Sequence, residues 1–221
     1  MEKCGIITIN TSNYGNRLQN YALQEYLKGY NVNPITIKNI ALLNKKKNIF
    51  DYLLRNIKYL FKKDEFKDDI NRERFFAKFN ENINFSPKIF NWFNYKWLRE
   101  FDYFIVGSDQ VWNPVFGRLS HVDLLTFANK EKRISYAASF GIKSIPEQYN
   151  KILKKELNEF KAISVRENEG KKIADSVTGR NDIEVLIDPT MLLTAEEWDR
   201  VAKRPEQLKN NKYILNYFLG E

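Results

Sequence analysis

Residues 4–38 read CGIITINTSNYGNRLQNYALQEYLKGYNVNPITIK, and the change of texture along them decides the fold class. Cys4–Ile9 is a short Ile-rich run of the kind that forms a buried strand. Asn10–Gly15 is a turn-rich loop of Asn, Thr, Ser and Gly. From about Asn16 to Lys28 the apolar residues Leu18, Ala22, Leu23, Tyr26 and Leu27 recur at helical spacing, and Gly29 is a natural terminator. Val32–Lys38 then reads as a second strand. Strand, loop, helix, strand is a βαβ unit, which implies parallel pairing and a right-handed crossover.

The same alternation resumes downstream. Tyr103–Val106, Arg133–Ala138, Ala162–Val165 and Glu184–Ile187 read as strands. The Ser144–Glu147 segment, with capping-box spacing, precedes one helix. A second helix runs to about Val177, and Thr194–Glu197 caps a third that carries Trp198. Tyr213–Leu219 reads as a last strand. The expected class is α/β: a Rossmann-like parallel sheet flanked by helices.

Residues 41–100 differ in character. They hold 14 Lys+Arg against 8 Asp+Glu and 14 aromatics. Ile49, Phe50, Leu53, Leu54, Ile57, Leu60 and Phe61 have helical spacing, and Phe66, Ile70, Phe75, Phe76 and Phe79 continue it. Two helices packed as an insertion on the α/β domain are expected. The net charge of +8 is concentrated here. It fits a solvated Lys-rich face over an aromatic core, or a peripheral contact with an anionic membrane surface. No recognition-helix, zinc-finger or RNP pattern points to nucleic acid.

The 221 residues contain one cysteine, Cys4, and one histidine, His121. An internal disulfide framework is excluded, and a zinc site is not expected. Cys4 is expected to pack at the start of the first strand. No apolar run approaches the roughly 20 residues of a membrane span, and the opening residues lack a signal-peptide layout. A cytoplasmic location is the default expectation. His121 lies in a loop-like stretch and reads as a packing residue rather than an acid–base group.

In an open α/β sheet, ligands bind outside the carboxyl ends of the strands. Three polar loops fall there. Asn13, Gly15, Asn16 and Gln19 surround a helix N-terminus, which favours anions or hydroxyls; the alternative is a polar turn with capping residues. Ser108, Asp109 and Gln110 follow the apolar run Tyr103–Val106, and a carboxylate here either grips sugar hydroxyls, acts as general base, or closes a turn. Arg166 at a strand end suits bidentate binding of carboxylate or phosphate, or a salt bridge to Glu167 or Glu169. Neither a P-loop nor a Gly-x-Gly-x-x-Gly fingerprint is present.

Five segments in order, Asn13-Tyr14-Gly15-Asn16-Arg17-Leu18-Gln19-Asn20-Tyr21-Ala22-Leu23-Gln24, Gly107-Ser108-Asp109-Gln110-Val111-Trp112, Tyr136-Ala137-Ala138-Ser139-Phe140-Gly141, Ser164-Val165-Arg166-Glu167 and Asp188-Pro189-Thr190, resemble the polysaccharide pyruvyl transferase family. The resemblance covers nearly the whole chain outside 41–100. It implies two Rossmann-like domains facing across a cleft, as in GT-B glycosyltransferases. Residues 1–210 would be the N-terminal domain and 211–221 the first strand of a truncated C-terminal one.

The implied activity is transfer of a pyruvyl group from phosphoenolpyruvate to hydroxyls of a cell-surface saccharide, often lipid-linked. It forms a cyclic ketal and releases phosphate, with no cofactor beyond the donor substrate, at the inner face of the membrane. Asp109 would be the base or acceptor-side residue and Arg166 would hold the anionic donor. Asn13, Gly15, Asn16 and Gln19 would line the cleft floor, and Ser108 and Gln110 would contact substrate. The family's Arg-x-His element has no counterpart here, so the chain is expected to be an incomplete enzyme. Rival readings are a GT-B-type glycosyltransferase using a nucleotide-sugar and a non-catalytic saccharide-binding or scaffold protein.

Overall fold

The computed structural model describes residues 1–10, 13–39, 67–90 and 95–204, together with 212, 214 and 216. Seven parallel strands form one sheet: β1 (Glu2–Ile7), β2 (Val32–Asn39), β3 (Phe85–Phe90), β4 (Tyr103–Asp109), β5 (Arg133–Ala138), β6 (Ala162–Val165) and β7 (Glu184–Val185). Their spatial order is β3-β2-β1-β4-β5-β6-β7. The order reverses direction between β1 and β4, where Ile6 lies opposite Ile105. The fold is the α/β, Rossmann-like architecture expected from the sequence, and the β1/β4 boundary is its switch point.

Side-chain alternation divides β1 and β4 between two cores. Cys4, Ile6 and Ile105 pack with Leu23 of the helix α1 (Tyr14–Lys28) on one face. Ile7, Phe104 and Val106 face the other way, into a larger cluster with Trp112, Phe140, Leu153, Leu157 and Ile173. That second face is covered by α3 (Asn150–Leu157) and α4 (Asn168–Thr178). A strand buried on both sides needs continuous apolar sequence, which explains why β1 and β4 are Ile- and Val-rich. On the α1 side, α2 (Lys67–Asn80) and α5 (Ala195–Asp199) complete the layer through Phe79 and Trp198, which pack around Tyr21.

Several boundaries differ from the sequence reading. The segment 41–100 is not purely a helical insertion, because Phe85–Phe90 is an edge strand whose Phe85 lies opposite Thr36 of β2. Pro87 obscures it in the sequence, yet an edge strand tolerates proline. The expected helix over 49–61 lies outside the described residues, as does the domain boundary at 210/211. So does Tyr213–Leu219 apart from Ile214 and Asn216. Gly29 caps α1 in a right-handed conformation, and the left-handed residue that turns the chain is Asn31, φ 60°. Ser144 caps nothing. A 3₁₀ turn over Glu147–Tyr149 intervenes, and α3 starts at Asn150 without a side-chain cap. The Thr194 box is real: Thr194 Oγ1 accepts from the Glu197 amide at 3.3 Å, and Glu197 Oε2 accepts from the Thr194 amide at 2.8 Å.

The first half of α1 is inverted relative to its apolar pattern. Leu18 is exposed, whereas Asn16, Arg17, Gln19, Asn20 and Gln24 are buried. Of these, Asn20 and Gln24 join an internal polar network rather than a greasy stripe. Gln24 Nε2 donates to Thr36 Oγ1 at 2.7 Å and to the Asn84 carbonyl at 3.0 Å, and Thr36 Oγ1 donates to Asn20 Oδ1 at 2.6 Å. Buried polar groups are tolerated when they are paired.

Candidate functional site at the sheet switch point

The carboxyl end of β4 carries the residues that the sequence singled out. Asp109 is its last residue and adopts a left-handed conformation, φ 69°, which Asp accepts more readily than most side chains. The loop behind it is fixed to β5. The Ser139 amide donates to the Asp109 carbonyl at 2.9 Å, and the Trp112 amide donates to the Ser139 carbonyl at 3.1 Å. Trp112 is fully buried, packs tilted against Phe140 and edge-to-face against Phe160 with ring centroids at 5.3 and 5.9 Å, and donates its indole N–H to the Asp123 carbonyl at 3.0 Å. This packing anchors the segment that follows Asp109.

The Asp109 carboxylate is gripped from three sides. Asn16 Nδ2, from α1 across the switch point, donates to Oδ2. The Gln110 amide donates to Oδ1 at 2.8 Å, and Arg166 Nη2 stands 3.7 Å from the same oxygen. Asn16, on the helix that follows β1, and Asp109, at the end of β4, thus come from the two sides of the boundary where an α/β sheet opens its crevice.

Arg166, following β6, is engaged along its whole edge. Nε donates to Glu167 Oε1 at 3.1 Å and Nη1 to Asp188 Oδ2 at 3.1 Å, while Nη2 faces Asp109. Burial works against the guanidinium charge. Hydrogen bonds to Asp188 and Glu167, with the charges of Glu167 and Asp109, outweigh it and raise the group above its ordinary range. Asp188 also accepts from the Thr190 amide at 3.0 Å, the Thr190 hydroxyl at 2.8 Å and the Ser108 hydroxyl at 2.9 Å. Burial would push its carboxyl up, but the Thr190, Ser108 and Arg166 bonds prevail and hold it below the usual range. Three carboxylates around one guanidinium leave the site formally acidic.

The sequence matches the polysaccharide pyruvyl transferase family over residues 13–220. The chain belongs to the polysaccharide pyruvyl transferase family. No curated protein and no solved structure matches it.

Within this pyruvyl transferase fold the expected site residues separate into groups. Asn16, Ser108, Asp109 and Arg166 meet in one network. Gln19 lies behind it, its Nε2 donating to Thr8 Oγ1 at 3.4 Å, and Thr8 Oγ1 donates to the Ser108 carbonyl at 3.5 Å. Asn13 is the N-cap of α1 and accepts from the Asn16 amide at 3.3 Å. Gly15 is exposed on the opening turn. Gln110 turns its side chain to Asn113.

Asp188 enters the sequence reading only within the resemblance, and Glu167 only as a salt-bridge partner of Arg166, a bridge the structure shows at 3.1 Å; neither is read there as a site residue. Asp188 carried the same signal as Asp109, a carboxylate just past a predicted strand. His121 is exposed, with Nδ1 3.1 Å from Thr126 Oγ1. Cys4 is buried in β1, where burial pushes its thiol well above the ordinary range. Among the described residues, no cluster of His, Cys, Asp or Glu is suited to a metal ion, and no helix is long and apolar enough to cross a membrane.

Proposed function

We propose that this pyruvyl transferase moves the pyruvyl group of phosphoenolpyruvate onto two hydroxyls of a saccharide. The observation that carries the reading is the Asp109 carboxylate, presented at the β1/β4 switch point and oriented by Asn16 and Arg166. A carboxylate so held accepts hydrogen bonds from sugar hydroxyls and takes a proton from one of them.

In this reading a proton reaches the methylene carbon of phosphoenolpyruvate and converts it to methyl. A sugar hydroxyl attacks the adjacent carbon and passes its proton toward Asp109. The C–O bond to phosphate breaks, and the second hydroxyl closes the ketal. Of the two hydroxyl protons, one balances that gained by carbon and the other leaves with phosphate. Arg166, already committed to three carboxylates, serves as a positioning residue rather than a hand for the donor. It keeps Asp109 and Asp188 together where their mutual repulsion would separate them. The acceptor proposed is a cell-envelope saccharide, with synthesis on the cytoplasmic side of the membrane.

The test is phosphate release from phosphoenolpyruvate in the presence of a saccharide acceptor library. Asp109→Asn should lower kcat by about 10²-fold or more, the usual contribution of a positioned acid or base. Undiminished turnover in that variant removes Asp109 from the chemistry. Sugar transfer from a nucleotide-sugar, without consumption of phosphoenolpyruvate, overturns the reading as a whole.

A further inference from the structure

Arg17 is the charged side chain that the network above leaves unused. It sits one residue after Asn16 on α1, about 100° further around the helix. It is only 8% exposed. Its Nε and Nη1 are buried without a hydrogen-bond partner, and no ion pair joins it to any described residue. Burial alone acts on its pKa, lowering it, with no neighbouring carboxylate in opposition. Buried charges are ordinarily paired, because an unpaired one is costly. The contrast with Arg166 is sharp: one guanidinium carries three carboxylates, the other none.

The surroundings of Arg17 favour a negative guest. Helical side chains lean back toward the N-terminus, so Arg17 lies over the opening turn of α1. That turn carries the positive end of a 15-residue helix. Its backbone donors have no preceding helical carbonyls, and Asn13 Oδ1 answers the Asn16 amide. Asn10, in the segment that leads from β1 to α1, has a side-chain amide whose nitrogen and oxygen are both buried and unpartnered.

We propose that Arg17 and the N-terminal turn of α1 form a seat for an oxyanion, a phosphate or a carboxylate, beside the Asp109 site. The seat is defined by its own residues. Assigning the anion to the donor substrate rests on the pyruvyl-transfer reading. Under that reading the two ends of the reaction are separated by charge. The acidic cluster around Asp109 receives hydroxyls, and Arg17 receives the anionic group that a cluster of carboxylates would repel.

The test is ligand-induced thermal stabilisation and calorimetric binding in chloride buffer. It uses inorganic phosphate, pyruvate and phosphoenolpyruvate separately, with wild type, Arg17→Met and Arg17→Lys. Wild type should be stabilised saturably by phosphate or by pyruvate, which tells the phosphate from the carboxylate source, and by phosphoenolpyruvate. Arg17→Met should lose at least about tenfold in affinity, with partial recovery in Arg17→Lys. Without ligand, Arg17→Met should melt no lower than wild type, since it removes an uncompensated buried charge. Equal anion affinity in wild type and Arg17→Met overturns the seat, as does a wild type that none of the three anions stabilises. A lower melting point for unliganded Arg17→Met with unchanged anion binding assigns Arg17 a structural role instead. Arg17-dependent binding of phosphoenolpyruvate without phosphate release in the transfer assay leaves the seat standing and removes the pyruvyl-transfer reading.

Discussion

Asn16 and Asp109, 93 residues apart in the chain, are joined by a side-chain hydrogen bond across the boundary between β1 and β4. The bond ties the opening turn of α1 to the end of β4 and leaves the carboxylate at the mouth of the sheet. Its removal is therefore a direct test of how the site is positioned.

Asn16→Ala should leave the protein folded, at a cost of about 1 kcal/mol for one lost hydrogen bond. It should reduce phosphate release by freeing Asp109 to rotate. Asn16→Asp should be worse at neutral pH, because it places a second carboxylate against Asp109, and should recover in part as the pH falls and one of the pair takes a proton. Paired pH–rate profiles of the two variants check this. Identical profiles would place the importance of Asn16 elsewhere.

Asp188 gives a pH-dependent stability prediction. Its folded pKa lies below the reference value of 3.8, so the native state favours the ionised form. The resulting stabilisation is fully present above the unfolded pKa and disappears as pH falls through the folded value. Denaturant titrations of wild type and Asp188→Asn should differ by a constant amount from about pH 7 to about pH 5. The two should converge below pH 3.8. A difference that grows on acidification would reverse the sign of the argument.

Gly107 sits inside β4 at φ 125°, where a Cβ would strike the Tyr136 carbonyl of the neighbouring strand. Gly107→Ala should cost about 2 kcal/mol or more, from strain and from the displaced strand. Gly117, at φ 65° with nothing near a Cβ, is the control. Gly117→Ala should cost about 1–2 kcal/mol from backbone conformation alone. Chemical denaturation of both variants separates crowding from conformation.

Cys4 should be silent toward thiol reagents in the native protein. It is fully buried in β1 and its thiol is held in the neutral form by that burial. Labelling with an aromatic disulfide should follow the unfolding rate and become fast in denaturant. Rapid native labelling would show that β1 opens locally.

Most of the sheet was legible because parallel strands buried on both faces must be apolar runs, and β1, β4 and β6 are. Asp109 was legible for the same reason, since Gly-Ser-Asp-Gln interrupts such a run abruptly. β3 was hidden by Pro87 and by the aromatic segment around it. Of the partners of Arg166, the adjacent Glu167 is legible in the sequence as a salt bridge, and the structure has it at 3.1 Å. Asp109 and Asp188, far away in the chain, reach it only after the sheet assembles. An arginine on a helix ordinarily reaches solvent, and only the packed fold shows that Arg17 does not. The Ser144 spacing misled because Pro146 and a 3₁₀ turn intervene before the helix proper.

Trp112 has an optical consequence. The indole is enclosed by Phe140 and Phe160 with its N–H satisfied, three residues past Asp109. Such a chromophore emits at short wavelength while dry and shifts to the red when water reaches it. Among the tryptophans of the described residues, it is the one on the segment that follows Asp109, and its fluorescence reports on that segment. The protein thus carries an intrinsic dye beside Asp109, readable in a cuvette without labelling.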